Sequence, residues 1–359
     1  MPQRRQIQNR QKSPDGTPDP SVFSAEHNRE GIQVGRPLTA NEALECTKPV
    51  RRIASLLARH PLLDAHYECN HRCHCLRQSV SGLEGWRGRV SLRVPSVNTH
   101  ELSKNTSQVA AFTQMKKRGE KIAMLTAYDY PTARLLDESG ADILLVGDSL
   151  GMVVLGYPDT TFVTMDEMVH HTRAVARADT KAPVLADLPI GTCDTPEAAV
   201  ENARRLIDAG AAAVKIEGGA SHAPQVAALV AAGIPAMAHI GMMPQRVRIE
   251  GGYRVKGKTP EDAERLLADA RAAEEAGAFG LLLELVQTDT ARLITESVRI
   301  PTIGIGSGLH CDGQVLVTPD LIGSFPWFTP RFVTQRAKVA DEIRRAVSEY
   351  VAEVKQPRG

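Results

Sequence analysis

Three acidic residues stand at the same place in three successive segments of the sequence, each at the end of a short apolar run. They are Asp148, Asp187 and Glu217. If the runs are neighbouring parallel strands, these carboxylates meet in one cavity and repel one another unless a cation lies between them. All-oxygen ligands suit Mg²⁺, which keeps positions open for water or substrate. The alternative is that each acid only caps a helix or pairs with an arginine.

Three further side chains would complete such a site. Lys215 lies two residues before Glu217, and since side chains alternate along a strand, both should point into the cavity. The Lys215 ammonium would bind a substrate carboxylate, or it would only balance the acids. Glu284 lies within the apolar run Leu281–Leu285, where burial should raise its pKa into the range of a general base. The alternatives are a structural acid paired with His239 or an arginine, and His239 itself is either a second acid–base group or a core histidine.

A magnesium ion, a cationic anchor and a buried base together favour enolate chemistry on a 2-oxo acid. Such a substrate can chelate the metal through its ketone and carboxylate oxygens, which acidifies the neighbouring C–H and holds the enolate. The residues do not identify the electrophile. The glycine-rich run Gly304–Gly308 could hold a phosphate group, but a tight turn is the favoured interpretation.

These residues belong to a part of the chain that repeats strand and helix. After residue 105, short β-branched or apolar runs alternate with Ala- and Leu-rich helical stretches. The pattern predicts helix ends at glycines in the left-handed conformation, and helix starts at Thr-Pro-Glu. The predicted strands are Ile122–Ala127, Ile143–Gly147, Val184–Leu188, Ala213–Ile216, Ala236–Ile240, Leu281–Leu285 and Thr302–Ile305. The predicted helices are Thr132–Ser139, Met165–Ala178, Pro196–Ala209, Ala223–Ala232, Pro260–Ala276 and Thr290–Ser297, and the terminating glycines are Gly140, Gly210, Gly233 and Gly277.

Seven such units of about 30 residues, in a segment of about 250, match the size of a (β/α)₈ TIM barrel. An eighth strand is expected near Val315–Ile322, because Gly306–Gln314 is too short for a full helix. An open doubly wound sheet is the alternative, but no GxGxxG sequence opens a helix after the first strand. We therefore predict a barrel whose chemistry takes place where the C-terminal strand ends meet the βα loops.

The composition divides the chain in two. The 359 residues have a net charge of +1, which gives no reason to expect nucleic acid or an anionic membrane as a partner. No apolar run approaches the ~20 residues of a bilayer span. However, residues 1–105 carry a net charge of +6 and residues 106–359 a net charge of −5. We predict a poorly structured N-terminal extension over 1–105 and a catalytic barrel over 106–359.

The extension contains one cluster of possible metal ligands, Cys69–Cys75, with three cysteines and two histidines. A structural zinc site needs four converging ligands, usually from two paired knuckles, so an unstructured cluster is the favoured interpretation. No apolar segment follows the basic start, which argues against a secretory signal. The arginines allow an organellar transit peptide, but the acidic residues argue against one, so a cytoplasmic protein is expected.

Seven phrases of the sequence, in order, closely resemble the ketopantoate (3-methyl-2-oxobutanoate) hydroxymethyltransferase family. The resemblance runs from about residue 106 to the C-terminal region. The phrases are Leu125–Tyr130, Leu145–Met152, Leu185–Pro189, Val214–Gly219, Ala238–Gly241, Gly251–Gly257 and Ile303–Gly308.

The resemblance implies a TIM barrel that moves a one-carbon unit from 5,10-methylenetetrahydrofolate to 3-methyl-2-oxobutanoate, giving 2-dehydropantoate on the route to pantothenate and coenzyme A. It implies Mg²⁺ as cofactor and a homodecamer of two stacked pentameric rings as the assembly. The partners it implies are small molecules, a 2-oxo acid and a folate.

The resemblance also implies a role for each motif residue. Asp148 and Asp187 would bind Mg²⁺ and contact the 2-oxo acid, and Glu217 would be the third carboxylate of the metal site. Ser149 and Lys215 would contact the substrate. The family's proton acceptor falls on Glu284.

Two rival functions and two departures from the family pattern accompany the resemblance. A Mg²⁺-dependent carbon–carbon lyase of the phosphoenolpyruvate/pyruvate type would share the metal and enolate chemistry, but Cys193 and Cys311 lack the Lys-Cys-Gly-His context of such enzymes. A catalytically silent scaffold should have lost some of the strand-end acids. The segment Gly323–Pro330 and the chain end Val354–Gly359 depart from the family pattern. The resemblance therefore does not extend to the lid or packing near the folate entrance, and no catalytic position is affected.

Overall fold

The computed structural model describes residues 99–356, with side chains from residue 105 onward. The predictions for Cys69–Cys75 and for the extension up to residue 98 lie outside the described residues.

Eight parallel strands close into a barrel in the order of the sequence, which confirms the predicted (β/α)₈ fold. Each strand pairs with the next along the chain, and the eighth pairs with the first. The strands are β1 (Ile122–Thr126), β2 (Ile143–Val146), β3 (Val184–Asp187), β4 (Ala213–Glu217), β5 (Ala236–Gly241), β6 (Gly280–Glu284), β7 (Thr302–Ile305) and β8 (Gly313–Leu316).

Helices surround the strands, and short 3₁₀ turns lie at Thr160–Phe162, Ala220–His222 and Pro244–Arg246. The helices are α1 (Thr99–Arg118), α2 (Tyr130–Glu138), α3 (Leu150–Val153), α4 (Met165–Ala176), α5 (Pro196–Asp208), α6 (Ala223–Ala231), α7 (Val247–Glu250), α8 (Pro260–Glu275), α9 (Thr288–Ser297), α10 (Thr318–Ile322) and α11 (Val339–Lys355). None of these described helices is long and apolar enough to cross a membrane.

The predicted helix ends are confirmed. Thr195 and Thr259 each accept a hydrogen bond from the backbone N–H three residues on, at the starts of α5 and α8. Such caps satisfy N–H groups that have no partner within the helix. The four predicted terminating glycines all have positive φ, between +78° and +104°.

The eighth strand differs from its prediction. β8 ends at Leu316, and the chain then turns into helix α10, so a strand continuing to residue 322 is wrong. Pro319, which has no backbone N–H, lies in the first turn of α10, where a helix tolerates proline and a strand in a sheet does not. No helix lies between β7 and β8, as expected from the short connection.

Helix α1 closes one end of the barrel and was not predicted. Its side chains Val109 and Phe112 are buried in a cluster with residues from inside the barrel, among them Ile122, Ile143 and Ala213. These three are the first residues of their strands, so the cluster fills the N-terminal end. In this fold the N-terminal end serves stability, and the opposite end is left open for chemistry.

Candidate active site

A cavity of about 1060 Å³ opens at the C-terminal ends of the strands. Its volume is at the upper end of the ~300–1,000 Å³ of ordinary ligand sites, which leaves room for two substrates. All of the sequence-predicted site residues line it: Asp148, Ser149, Asp187, Lys215, Glu217, His239 and Glu284.

Strand register brings these side chains together in pairs. Asp187 on β3 stands opposite Lys215 on β4, and Glu217 stands opposite His239 on β5. On the next pair of strands, Gly241 stands opposite Glu284. The charged residues therefore follow one another around the rim of the barrel.

Lys215 forms a buried ion pair with Asp187, with 3.3 Å between Nζ and Oδ2. Burial alone would lower the pKa of Lys215, but Asp187, Glu217 and Asp148 together outweigh burial and hold it above its ordinary value. The ammonium group is therefore charged. It does balance one acid, as the alternative interpretation expected, while still facing the cavity.

The carboxylates of the candidate metal site are connected by a glutamine. Gln245 donates from Nε2 to Asp148 Oδ2 at 2.8 Å and from its backbone N–H to Glu217 Oε2 at 3.0 Å. The Asp148 N–H in turn donates to Asp187 Oδ2 at 3.1 Å. Within the described part of the chain, none of the three acids pairs with an arginine or caps an α-helix with its side chain, and Glu217 accepts from an N–H of the short 3₁₀ turn Pro244–Arg246.

Burial and mutual repulsion perturb these acids. The pKa of Asp148 is raised to about 7, chiefly by burial and then by Asp187. The pKa of Glu217 is raised well above its ordinary value by burial and by Asp148. Two buried oxygens, Asp187 Oδ1 and Glu217 Oε1, have no hydrogen-bond partner among residues 105–356. A divalent cation would relieve both the repulsion and the missing contacts.

This donor set fits Mg²⁺, which proteins usually bind through one or two carboxylates with water and substrate completing the shell. In the described residues, no three His, Cys, Asp or Glu side chains are arranged to hold a metal by themselves. The buried pair Asp148 and Asp187 is thus the better-supported ligand set. A role for Glu217 as third carboxylate stays a prediction.

His239 lies between Lys215 and Glu284. Burial, and then Lys215, holds the pKa of His239 well below its ordinary value, so its contacts with carboxylates are not ion pairs. Its Nδ1 is 3.2 Å from Lys215 Nζ and must accept, because an ammonium can only donate. The proton then resides on Nε2, which is 3.4 Å from Glu284 Oε2.

Glu284 has the predicted perturbed acidity. Burial raises its pKa to about 8, although Lys215 partly opposes the shift. Its side chain is 14% exposed and faces the cavity. A carboxylate with this pKa is a stronger base than an ordinary glutamate, and it is still ionised in a useful fraction near neutral pH.

The backbone at Glu284 is held tightly. Leu285 has φ +47°, an uncommon conformation for a branched side chain. It is fixed by hydrogen bonds from its N–H to Ile305 O at 2.9 Å and from Lys256 N–H to its own oxygen at 2.8 Å. A Cβ on Gly241 would lie 2.4 Å from Glu284 O, so only glycine allows this close approach. Strained backbone next to a candidate base is typical of functional sites.

Sequence reasoning missed several residues of the site. Gln245 lies in a 3₁₀ turn after β5. No sequence motif marks it as a site residue, because its contacts exist only in the folded barrel. Tyr128, whose hydroxyl lies 2.8 Å from Ser149 Oγ, stands in a quoted motif but was given no role. Asp320 and three phenylalanines after β8 also line the cavity, and the misplaced end of β8 concealed them.

The glycine-rich run forms the tight turn that was favoured. Gly306 and Gly308 have φ +62° and +80°. Between them, Ser307 Oγ donates to Leu283 O at 2.7 Å and accepts from Val286 N–H at 2.9 Å. The two hydrogen bonds of Ser307 therefore hold the backbone in place on both sides of Glu284.

The lyase alternative finds no suitable cysteine in the described part of the chain. Cys193 and Cys311 are both buried, and burial raises the pKa of the Cys193 thiol to about 11. A thiol with such a pKa is protonated near neutral pH and is a poor nucleophile.

Comparison with known proteins gives matches over the barrel. A family model described as ketopantoate hydroxymethyltransferase matches residues 106–358. A 3-methyl-2-oxobutanoate hydroxymethyltransferase from Carboxydothermus hydrogenoformans is 52% identical over 250 residues, covering 69% of this chain and 91% of that protein. One from Moorella thermoacetica is 54% identical over 245 residues, covering 67% and 91%. One from Ignicoccus hospitalis is 53% identical over 240 residues, again covering 67% and 91%.

Solved structures give more distant matches. A phosphonopyruvate hydrolase in complex with oxalate and Mg²⁺ is 16% identical, with a TM-score of 0.49, and the match covers 70% of this chain and 87% of that one. A likeness at this distance carries no argument about function.

Proposed function

The chain belongs to the ketopantoate hydroxymethyltransferase family, and on that premise we propose that it transfers a hydroxymethyl group from 5,10-methylenetetrahydrofolate to 3-methyl-2-oxobutanoate, giving 2-dehydropantoate. One observation carries the proposal. A buried cluster of carboxylates, a charged lysine and a carboxyl group of raised pKa face one cavity at the catalytic end of the barrel.

The 2-oxo acid is placed by charge. Lys215 supplies the positive charge for the substrate carboxylate, and Ser149, held by Tyr128, supplies a hydroxyl beside it. Asp148 and Asp187 would hold Mg²⁺ within this cluster. When bound, the ion supplies the positive charge that acidifies the C–H next to the ketone.

Glu284 accepts the proton from C3 of the substrate. The resulting carbanion forms a bond to the methylene carbon of the folate, and both bonds from that carbon to the two folate nitrogens break in the course of the reaction. One water supplies the hydroxyl to this carbon. The remaining proton of the water and the proton taken from C3 end on the two nitrogens, so that 2-dehydropantoate and tetrahydrofolate leave. The neutral His239 lies beside the Glu284 carboxyl group, with 3.4 Å between Nε2 and Oε2, and adds no charge next to the base.

The expected result with purified protein is conversion of 3-methyl-2-oxobutanoate to 2-dehydropantoate, given Mg²⁺ and methylenetetrahydrofolate. Product formation is measured by NMR of the reaction mixture. Omission of the folate should stop product formation but not the exchange of the substrate's C3 hydrogen with solvent deuterium. No turnover with both supplied would overturn the proposal.

A second arm of this experiment tests the proposed domain organisation, in which residues 106–359 form the catalytic unit. Helix α1 spans the predicted boundary, and its Val109 and Phe112 help to fill the N-terminal end of the barrel. The shortened chain should therefore begin at Thr99. Turnover equal to that of the full chain supports the proposal, and loss of turnover in a folded shortened chain contradicts it.

The cytoplasmic location stays a prediction.

The proposed assembly is a homo-oligomer, with the family's decamer as the specific form. Helix α11 supports it, because only Ala340 among its side chains is buried. An apolar stripe (Ile343, Val347, Tyr350, Val351 and Val354) is left 38–66% exposed along one face. Contiguous exposed apolar patches mark surfaces that another protein covers, and a second copy of the chain is the proposed occupant.

Replacing Val347 with aspartate should break this assembly, because a charge would be buried in the contact. The expected result is a smaller particle by light scattering after size-exclusion chromatography. Ala352→Asp is the matched control, since Ala352 is exposed on the opposite face of α11. Equal particle sizes for the wild type and both variants, with the wild type oligomeric, would show that the stripe is not the contact.

A further inference from the structure

One wall of the cavity has no part in the chemistry described so far. It is formed by the chain after β8, where Phe325, Phe328 and Phe332 line the cavity together with Asp320 on α10. We call the three phenylalanines the aromatic wall. Phe328 is 60% exposed and Phe332 40% exposed, so their faces are open to a ligand.

Asp320 is a buried acid on this side of the cavity. Only 6% of the residue is exposed, yet within residues 105–356 its carboxylate has no hydrogen bond or ion pair. Among the other acids of the cavity, Asp148 is bonded to Gln245 and Asp187 to Lys215. The carboxylate faces the cavity, so a ligand that donates hydrogen bonds to Asp320 and shields it from water would gain affinity from it.

The position of Asp320 separates it from Lys215 and Glu217 on the opposite side of the barrel. In a closed barrel of eight strands in sequence order, β8 lies across the barrel from β4. Asp320 follows β8, whereas Lys215 and Glu217 end β4. The cavity thus has two differently built sides, and a 2-oxo acid held by the acidic side leaves the aromatic side free.

The chemistry of this second side matches one part of the folate. The pteridine of a tetrahydrofolate carries a 2-amino group next to a ring N–H, two parallel donors that suit the two oxygens of a carboxylate. Its pyrimidinone half is flat and can pack against aromatic faces. We propose that Asp320 binds the pteridine of the folate co-substrate through these two donors, with the aromatic wall packing against the ring. The inference rests on the proposed function.

Burial raises the pKa of Asp320 to about 6. The carboxylate is therefore mostly ionised near neutral pH and ready to accept both hydrogen bonds. Two bonds to a charged acceptor give the ligand both affinity and orientation.

The test replaces Asp320 with asparagine, which keeps the shape but presents an N–H₂ group to one of the ligand's donors. The KM for methylenetetrahydrofolate should rise about tenfold or more, the range expected for hydrogen bonds to a charged group. The KM for 3-methyl-2-oxobutanoate and its folate-independent deuterium exchange should stay within about twofold of wild type. Asp208→Asn is the matched control. Asp208 is exposed at the C-terminal end of α5, which lies at the N-terminal end of the barrel, away from the cavity.

A second variant tests the aromatic wall at an exposed residue, so that its result does not depend on changing a buried side chain. Phe328→Ala truncates an exposed side chain and should also raise the KM for the folate, by about threefold or more, through lost stacking. Binding of tetrahydrofolate alone, measured by calorimetry, should weaken in both variants.

The outcomes separate this inference from the proposed function. Wild-type folate KM and affinity in both variants, with normal turnover, would overturn the inference and leave the function standing. Loss of deuterium exchange together with folate binding in Asp320→Asn would make the residue structural and also overturn it. A wild-type protein that exchanges the substrate hydrogen but never uses the folate would contradict the proposed function itself.

Discussion

Replacing Glu284 with glutamine is expected to slow proton removal from C3 of 3-methyl-2-oxobutanoate by about 10²–10⁴-fold, the usual contribution of a general base. Glutamine keeps the size of the side chain and can still contact His239, but it cannot accept the proton. Deuterium exchange at C3, followed by NMR in the absence of folate, isolates this step. Binding of the 2-oxo acid should be nearly unchanged, because Lys215, Asp148 and Asp187 are retained.

Stability distinguishes this role from the structural alternative of an acid paired with His239. Burial raises the pKa of Glu284 from 4.5 to about 8. Its contribution to stability is therefore fully present below pH 4.5 and is lost as pH rises towards 8. Glutamine carries no charge to bury, so Glu284→Gln should melt at the same or a higher temperature than wild type near pH 8. An acid that only supports the fold would give the opposite result.

The pH profile supplies a further readout. A base acts in its ionised form, so wild-type exchange should increase as pH rises through the pKa of Glu284, and this rise should vanish in Glu284→Gln. Glu296→Gln serves as the control, since Glu296 is exposed on α9. Exchange at the wild-type rate in Glu284→Gln would remove Glu284 as the base.

Much of the active end could be predicted from local pattern. The spacing of Lys215 and Glu217 decides that both face the same side of β4, whatever surrounds them. Because parallel strands in sequence order end at one rim, Asp148, Asp187 and Glu284 had to lie near them. The raised pKa of Glu284 followed from its apolar neighbours in the sequence.

The features that were not predicted depend on contacts between residues far apart in the sequence, or on segments whose sequence fits both a strand and a helix. The apolar run from Val315 to Ile322 resembles one strand, but Thr318-Pro319-Asp320 has the sequence pattern of the helix start at Thr195-Pro196-Glu197. In the structure Thr318 is the first residue of α10 and Val317 precedes it as the cap. A helix that starts at Thr318 ends β8 before it and places Asp320 at the cavity. Gln245 offers no such signal, because its three partners come from elements far away in the sequence. The same holds for α1, which is polar along most of its length. Its apolar contacts at the N-terminal end of the barrel come from the buried Val109 and Phe112 and the partly buried Met115.

Replacing Asp187 with alanine is expected to remove Mg²⁺ binding before it affects the fold. Asp187 offers the buried oxygen Oδ1, which has no partner in the described residues, and its Oδ2 accepts from Asp148 N–H and Lys215. Changes to groups that only support a ligand already weaken metal binding about 10–100-fold. Loss of a ligand should therefore weaken it by at least about 100-fold. Calorimetric titration of Mg²⁺ into the substrate-free protein measures the effect.

The charges around Asp187 explain why the loss should be specific. Without Asp187, the Lys215 ammonium still faces Glu217 and Asp148, the other two carboxylates that hold its pKa high. The variant should therefore keep its fold, while its affinity for the 2-oxo acid and the exchange of the C3 hydrogen both fall and are partly restored by raised Mg²⁺ concentration. Asp208→Ala, at the other end of the barrel, should bind Mg²⁺ as wild type does. If Asp187→Ala bound Mg²⁺ with wild-type affinity, the metal site would have to be placed on other residues, and the acidic cluster would need a different explanation.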